Sequence, residues 1–219
     1  MVSRTYYDAL GRAFSTVRNL SGQAIEYGTP PPPGSGETNL RTETIYAGDG
    51  RVTAFANEAG NITQYGYDAL GRQTEVTDPL NHTTASVYDA LGRLVSRIDA
   101  NGIVTRFEYD NLGRLKAVVE NYQAGAQPDS STNVRTEYTY DANGNRLSIK
   151  DGNGHTTTFT YDALGRLKSE QDPLGNPWVY GYDKAGNRVS LTDANGKTTN
   201  YVYDDLNRLA AIDYPAPDA

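Results

Sequence analysis

Residues 67–115 read YDALGRQTEVTDPLNHTTASVYDALGRLVSRIDANGIVTRFEYDNLGRL. The six-residue pattern Tyr-Asp-x-Leu-Gly-Arg occurs three times in this stretch, at Tyr67, Tyr88 and Tyr109, and again at Tyr7 and Tyr161. A catalytic motif is needed once per site, so the repetition itself argues against catalysis. The motif tyrosines Tyr46, Tyr67, Tyr88 and Tyr109 follow one another at steps of 21, as do Tyr140, Tyr161, Tyr182 and Tyr203. Tyr109 to Tyr140 is a step of 31 and Tyr7 to Tyr46 a step of 39. A fixed period with two insertions is the signature of a repeat architecture.

Halfway through each period lies a second, weaker signal: Asp78-Pro-Leu-Asn81, Asp99-Ala-Asn-Gly102, and the pairs Asp151/Gly154, Asp172/Gly175 and Asp193/Gly196. Asp-x-x-Gly is turn chemistry. Asp accepts hydrogen bonds from the turn backbone, Pro suits the second position, and Gly or Asn supplies the positive φ that a type I turn followed by a bulge requires. Between turns lie strand-length segments with alternating apolar residues. Leu94, Ser96 and Ile98 are read as one face, and so are Leu115, Ala117 and Val119. Phe107 and Tyr109, Phe159 and Tyr161, Tyr180 and Tyr182, and Tyr201 and Tyr203 pair at i, i+2. Turns this short join only antiparallel neighbours. Each 21-residue repeat is therefore predicted to be a β-hairpin.

The expected fold class is all-β, with tandem hairpin repeats forming a long, twisted, coiling antiparallel sheet, a partial shell or solenoid-like array. The whole chain, 1–219, reads as one array with repeats starting near Tyr7, Tyr46, Tyr67, Tyr88, Tyr109, Tyr140, Tyr161, Tyr182 and Tyr203. Insertions at 20–43, with Pro30 to Pro33, and at 119–137 each replace a mid-repeat turn, so each is expected to be a long hairpin tip on one sheet edge. Coiling is expected to bring the Tyr67–Tyr109 repeats towards the Tyr140–Tyr203 repeats across a shared interior, because a sheet this wide must cover its apolar row.

Composition narrows the function classes. There are 27 acidic against 20 basic side chains, a net charge of −7. An acidic chain with no basic run is a poor nucleic-acid binder. No Cys is present, so no disulfide or Cys-ligated metal is expected. No stretch is long and apolar enough to span a membrane. The opening MVSRTYYDAL lacks the apolar segment of a signal peptide. No P-loop, nucleophile elbow or dinucleotide fingerprint appears, and no cofactor is expected.

Each tempting residue type has a plainer reading. The tyrosine rows could stack on sugar rings; alternatively they are cross-strand packing residues whose hydroxyls reach the sheet edge or water. Arg72, Arg93, Arg114 and Arg166 could bind an anion, or each could pair with a neighbouring turn carboxylate. The Asp-Asn-Gly turns faintly resemble calcium loops, but their Gly stands at the fourth position instead of the sixth. His82 and His155 have no partner at ligand spacing. The structural repeat set is Tyr67, Asp68, Gly71, Arg72; Tyr88, Asp89, Gly92, Arg93; Tyr109, Asp110, Gly113, Arg114; and Tyr161, Asp162, Gly165, Arg166. Trp178, Tyr27 and Tyr122 are the candidate ligand contacts.

These residues strongly resemble the YD repeats of the Rhs family, whose pattern is YDxxGRL followed by a return strand ending in Tyr. The resemblance covers about Tyr7 to Leu209. That family includes Rhs proteins of polymorphic toxin systems, wall-associated proteins, the C component of insecticidal toxin complexes and teneurin shells. The resemblance implies a continuous β-sheet that spirals into a hollow shell around a C-terminal toxin. It implies that this chain is a piece of a longer polypeptide, that any enzymatic activity lies elsewhere in that parent, and that the location is secreted or on a bacterial surface. Expected partners are the rest of the parent, including an enclosed toxin domain, other copies through exposed sheet edges, and a glycan or receptor on the alternative reading of a surface-binding module.

Overall fold

The computed structural model describes residues 3–18, 30 and 39–216. Among these, all regular structure is β-strand. No helix is long and apolar enough to cross a membrane. The chain divides into two compact units, Met1–Thr105 and Arg106–Ala219.

In the first unit the strands are β1 (Ser3–Tyr7), β2 (Ala13–Arg18), β3 (Leu40–Tyr46), β4 (Val52–Ala56), β5 (Ile62–Tyr67), β6 (Gln73–Thr77), β7 (Thr83–Tyr88) and β8 (Leu94–Ile98). Each pairs antiparallel with the next. The second unit repeats the scheme. Its strands are β9 (Val104–Tyr109), β10 (Leu115–Glu120), β11 (Val134–Tyr140), β12 (Arg146–Lys150), β13 (Thr156–Tyr161), β14 (Leu167–Gln171), β15 (Pro177–Tyr182), β16 (Arg188–Thr192), β17 (Thr198–Tyr203) and β18 (Leu209–Asp213). They too pair in chain order. Each repeat is thus a β-hairpin, and each unit a meander.

Both turns of a repeat share one backbone. At Asp89–Gly92 the Gly92 N–H donates to the Asp89 carbonyl at 3.0 Å and the Asp89 N–H to the Arg93 carbonyl at 2.9 Å. At Asp78–Asn81 the equivalent bonds measure 3.0 and 2.9 Å. Gly92 has φ +83° and Asn81 φ +66°. Only Gly or Asn enters this region cheaply, which is why those two residues mark every turn position in the sequence.

The Tyr-Asp hairpins carry one more device. Tyr88 pairs with Leu94 but Val87 pairs with Ser96, so Val95 is an extra residue. The same bulge recurs at Thr74, Lys116, Lys168 and Val189. A bulge bends its strand and strengthens the local twist. It also corrects the alternation read from the sequence. Cross-strand partners share a face, so Leu94 lies with Tyr88 and Ser96 lies on the opposite face with Val87. Leu115 likewise lies with Tyr109, opposite Ala117 and Val119. A period of two fails wherever one residue has no partner.

With the register known, the two faces differ in chemistry. In the second unit one face carries Tyr138–Ile149–Thr157, Phe159–Glu170–Trp178 and Tyr180–Leu191–Thr199. The other carries small hydroxyl residues in ladders, with Thr139 to Ser148 at 2.6 Å and Thr160 to Ser169 at 2.6 Å. The motif tyrosines Tyr46, Tyr67, Tyr88, Tyr109, Tyr140, Tyr161, Tyr182 and Tyr203 are half-buried, while Tyr7 is exposed. Among the described residues, few are buried. Tyr6, Ser15, Val17 and Ala54 are buried in the first unit; Ala117, Val119, Asn133 and Phe159 are buried in the second.

The units also share an order of repeats. Each opens with the long step, 39 residues from Tyr7 or 31 from Tyr109, and continues with three steps of 21. Near the end of each long step the chain re-enters the sheet on the same tripeptide, Arg41-Thr42-Glu43 and Arg135-Thr136-Glu137, and in both the Arg pairs with the Glu. The period thus runs twice through the same order, one long step and then three of 21.

Candidate functional site

The repeated Tyr-Asp turn is where the motif side chains meet. Asp89 occupies its first position. Its Oδ1 accepts the N–H groups of Leu91 and Arg93, both at 2.9 Å, and its Oδ2 accepts Arg93 Nε at 2.7 Å. Asp68, Asp110 and Asp162 repeat the arrangement with Arg72, Arg114 and Arg166. The N–H of the following arginine, and then its guanidinium, hold the Asp89, Asp110 and Asp162 carboxyls below the ordinary carboxylate range against the opposing effect of desolvation.

The Asp fixes one end of the guanidinium, and the other end reaches the next repeat. Arg72 donates to the Asp89 carbonyl at 2.9 Å and lies over the Tyr88 ring at 5.0 Å. Arg114 does the same to the Asp141 carbonyl at 2.8 Å and to Tyr140 at 4.8 Å. Arg166 reaches the Asp183 carbonyl at 3.0 Å and Tyr182 at 4.6 Å. Arg51, held by Asp49, ties the Tyr46 repeat to Tyr67 and the Asp68 carbonyl. The tyrosine answers in the other direction. Tyr67 donates its hydroxyl to the Val52 carbonyl at 2.7 Å, Tyr88 to Gln73 at 3.0 Å, Tyr140 to Leu115 at 2.8 Å and Tyr161 to Arg146 at 3.0 Å. Each tie joins one repeat to its neighbour, so the motif is a seam along one edge of the sheet. Gly71, Gly92, Gly113 and Gly165 close its turns at positive φ.

In the second unit the seam alternates. The Asp141 and Asp183 turns carry Asn145 and Asn187 where their neighbours carry Arg, and each Asn amide bonds its own turn Asp. The arginine is displaced by one residue. Arg146 lies 5.2 Å from the Phe159 ring and Arg188 4.8 Å from Tyr201. The sequence shows the Gly-Asn-Arg spelling at both turns, which is the signal that could have revealed this.

The mid-repeat edge has a different character. His82 Nδ1 lies 2.9 Å from Asp78 Oδ2, His155 Nδ1 3.3 Å from Asp151 Oδ2, and the Asn176 amide 2.9 Å from Asp172 Oδ2. These residues stand where the Tyr-Asp turns have Arg, but they are short and close onto their own turn. Sequence reasoning missed this locking role. The Asp-Asn-Gly carboxylates are likewise engaged: Asp99 Oδ1 accepts the N–H groups of Asn101 and Ile103. Among the described residues, no group of three or more His, Cys, Asp or Glu is placed to hold a metal ion.

The second insertion is an organised loop. Asn133 is its latch: its amide donates to the carbonyls of Gln123 at 3.1 Å and Ala126 at 2.9 Å, and its carbonyl accepts the Gln123 N–H at 2.8 Å. Arg106 lies 4.3 Å from the Tyr122 ring. At the loop base Arg135 binds Glu108 through both terminal nitrogens and Glu137 through Nε. Most of the first insertion, with Tyr27, lies outside the described residues. Trp178 is 40% exposed and pairs with Glu170 across the sheet. Trp178, Tyr122 and the seam are therefore not gathered into one site.

The RHS repeat family model matches residues 46–83, 88–122, 140–177, 161–198 and 182–218. Among solved structures, the chain is similar to a Photorhabdus luminescens Tc holotoxin pore with a mutation in TccC3, at 17% identity and a TM-score of 0.63, over 99% of this chain and 14% of that one. It also matches a crystal structure of TcdB2–TccC3 without the hypervariable C-terminal region, at 16% identity and a TM-score of 0.32, over 96% of this chain and 16% of that one. The chain thus spans about one seventh of the length of the first of these. No curated protein matches it. The family matches together cover well over half of the chain and fall on the same Tyr-Asp hairpins that build its seam, so the chain belongs to the RHS repeat family.

Proposed function

We propose that this chain is a non-catalytic wall segment of an RHS-repeat shell or surface fibre, of the type that encloses a C-terminal toxin. The carrying observation is the seam. The motif Arg and Tyr side chains each hold a neighbouring repeat, and the Asp anchors the Arg of its own turn, which is what a continuous wall requires. The similarity to a Tc holotoxin over a small share of its length supports a segment of a larger polypeptide. On this reading its partners are the rest of that polypeptide and an enclosed toxin domain, it needs no cofactor, and it acts secreted or at a bacterial surface. Limited proteolysis of the full-length parent tests it. The segment that follows the array should resist protease while the array is intact and be cleaved once Arg72→Ala and Arg166→Ala open the seam. Equal cleavage of both forms would sink the enclosure reading.

A surface module that binds a carbohydrate or receptor is the second reading. It is favoured by the exposed Trp178 on the same sheet face as Tyr180 and Tyr182, because aromatic faces stack on sugar rings. A glycan array read with the wild-type chain and Trp178→Ala decides it; retention that ignores the substitution removes Trp178 from any such role.

A further inference from the structure

The Tyr-Asp turns of the second unit carry, at their apex, Leu112, Asn143, Leu164, Ala185 and Leu206 in order. The three leucines are 73, 75 and 71% exposed. The turn does not need them. Asn143 and Ala185 stand in the same place, and their turns keep the same backbone bond, Gly144 N–H to the Asp141 carbonyl and Gly186 N–H to the Asp183 carbonyl, both at 3.2 Å. Leu is also a poor choice for an exposed turn apex, where small polar residues are favoured. The row therefore has large and small apices in strict alternation along one edge.

Equivalent turns are two strands apart, roughly 9.6 Å, so the leucines recur at roughly 19 Å with a small residue midway. A partner that meets all of them must share that period, and a second copy of this chain does. Two such edges running in opposite directions place Leu164 of each over Asn143 of the other and Leu112 over Ala185. This is the reciprocal pattern of a two-fold interface. The two leucine turns add no net charge to the edge, because the Asp beside each is paired with its own Arg, Asp110 with Arg114 and Asp162 with Arg166. We propose that the Tyr-Asp edge of the 106–219 unit is a self-complementary interface occupied by the same edge of a second copy, offset by one repeat. Two leucines hide on the order of 300 Å² per copy, well short of the roughly 800 Å² per partner of a stable interface. Separate copies therefore associate weakly.

The chain has no Cys, so single cysteines report the contact cleanly. Leu164→Cys and Asn143→Cys proteins are mixed at high concentration with a short bismaleimide. Leu174→Cys mixed with Asn143→Cys is the control, since Leu174 is 87% exposed on the opposite edge. The 164–143 heterodimer should exceed the control at least about fivefold, as expected for a weak but specific contact. Adding Leu112→Asp to both partners should return the yield to the control level. Equal yields in the two mixtures, a preferred 164–174 product, or a yield untouched by Leu112→Asp would each overturn the proposal. Circular dichroism of each variant confirms that the fold is retained.

Discussion

The two edges of each unit have the same backbone turn and different consequences. On the Tyr-Asp edge an arginine anchored by its own Asp crosses to the next repeat, as Arg72 crosses to Asp89 and Tyr88. On the mid-repeat edge His82, His155 or Asn176 fills the same position and folds back on its own turn. Neighbouring turns are roughly 9.6 Å apart, a span that Arg crosses to the backbone by itself, whereas Asn187 reaches the next turn only by meeting the Asn207 side chain at 2.8 Å. A turn of Asp, x, x and Gly therefore makes a hairpin by itself, and the long side chains of the Tyr-Asp edge add ties to the backbone ladders that join neighbouring hairpins. The difference explains where the chain accepts extra residues. Both insertions fall at mid-repeat turns, where lengthening breaks no tie of the Arg–Tyr kind.

The largest expected effect breaks that comparison directly. Ten Gly/Ser residues placed between Asn153 and Gly154 should cost only about 1 kcal/mol, since loop length enters only logarithmically. The same insert between Leu164 and Gly165 displaces Arg166 from Asp162, Tyr182 and the Asp183 carbonyl, and should cost roughly 2–4 kcal/mol. Urea unfolding of the two variants gives the comparison; equal midpoints would mean the edges are equivalent. A smaller effect follows from side chains alone. Arg72→Ala should destabilise by about 1–2 kcal/mol through the lost ring contact and carbonyl bond, whereas His82→Ala should stay within about 0.5 kcal/mol.

Much of this was legible in the sequence, and the part that was not has a definite cause. Asp89 and Gly92 announce their turn because a positive φ admits few residues and the capping Asp lies three positions away, so the signal is local. The reach of Arg72 was hidden because its partner stands 17 residues on, at the far end of a hairpin. The faces of Leu94 and Ser96 were misread because the bulge at Val95 leaves no mark on composition. The sequence marks His82 and His155 only as residues with no partner at ligand spacing, and coordinates are needed to show the turn Asp that each one bonds. The latch at Asn133 depends on a loop whose closure no periodicity encodes.

The glycines sharpen the comparison by removing side chains from it. Gly165→Ala and Gly154→Ala should each cost about 1 kcal/mol, because both residues sit at positive φ, +76° and +85°. A clearly larger cost on one edge would mean that the turns differ in backbone and not only in reach. The smallest difference is expected from acid. Asp89, Asp110 and Asp162 on one edge and Asp78, Asp151 and Asp172 on the other all have lowered pKa values. A depressed folded pKa adds stability above the unfolded value of about 3.9, and that stability is lost as pH falls through the folded pKa. Thermal melts should therefore hold steady from neutral pH to about 5 and fall below about 4, with both edges affected alike.

The central claim is that arginine and tyrosine couple one repeat to the next. A double-mutant cycle between Arg72 and Tyr88 measures that coupling, using Arg72→Ala, Tyr88→Ala and the double variant in urea unfolding. The seam predicts a coupling energy of about 0.5–1.5 kcal/mol. A value within about 0.2 kcal/mol of zero, in variants that still fold, would contradict it.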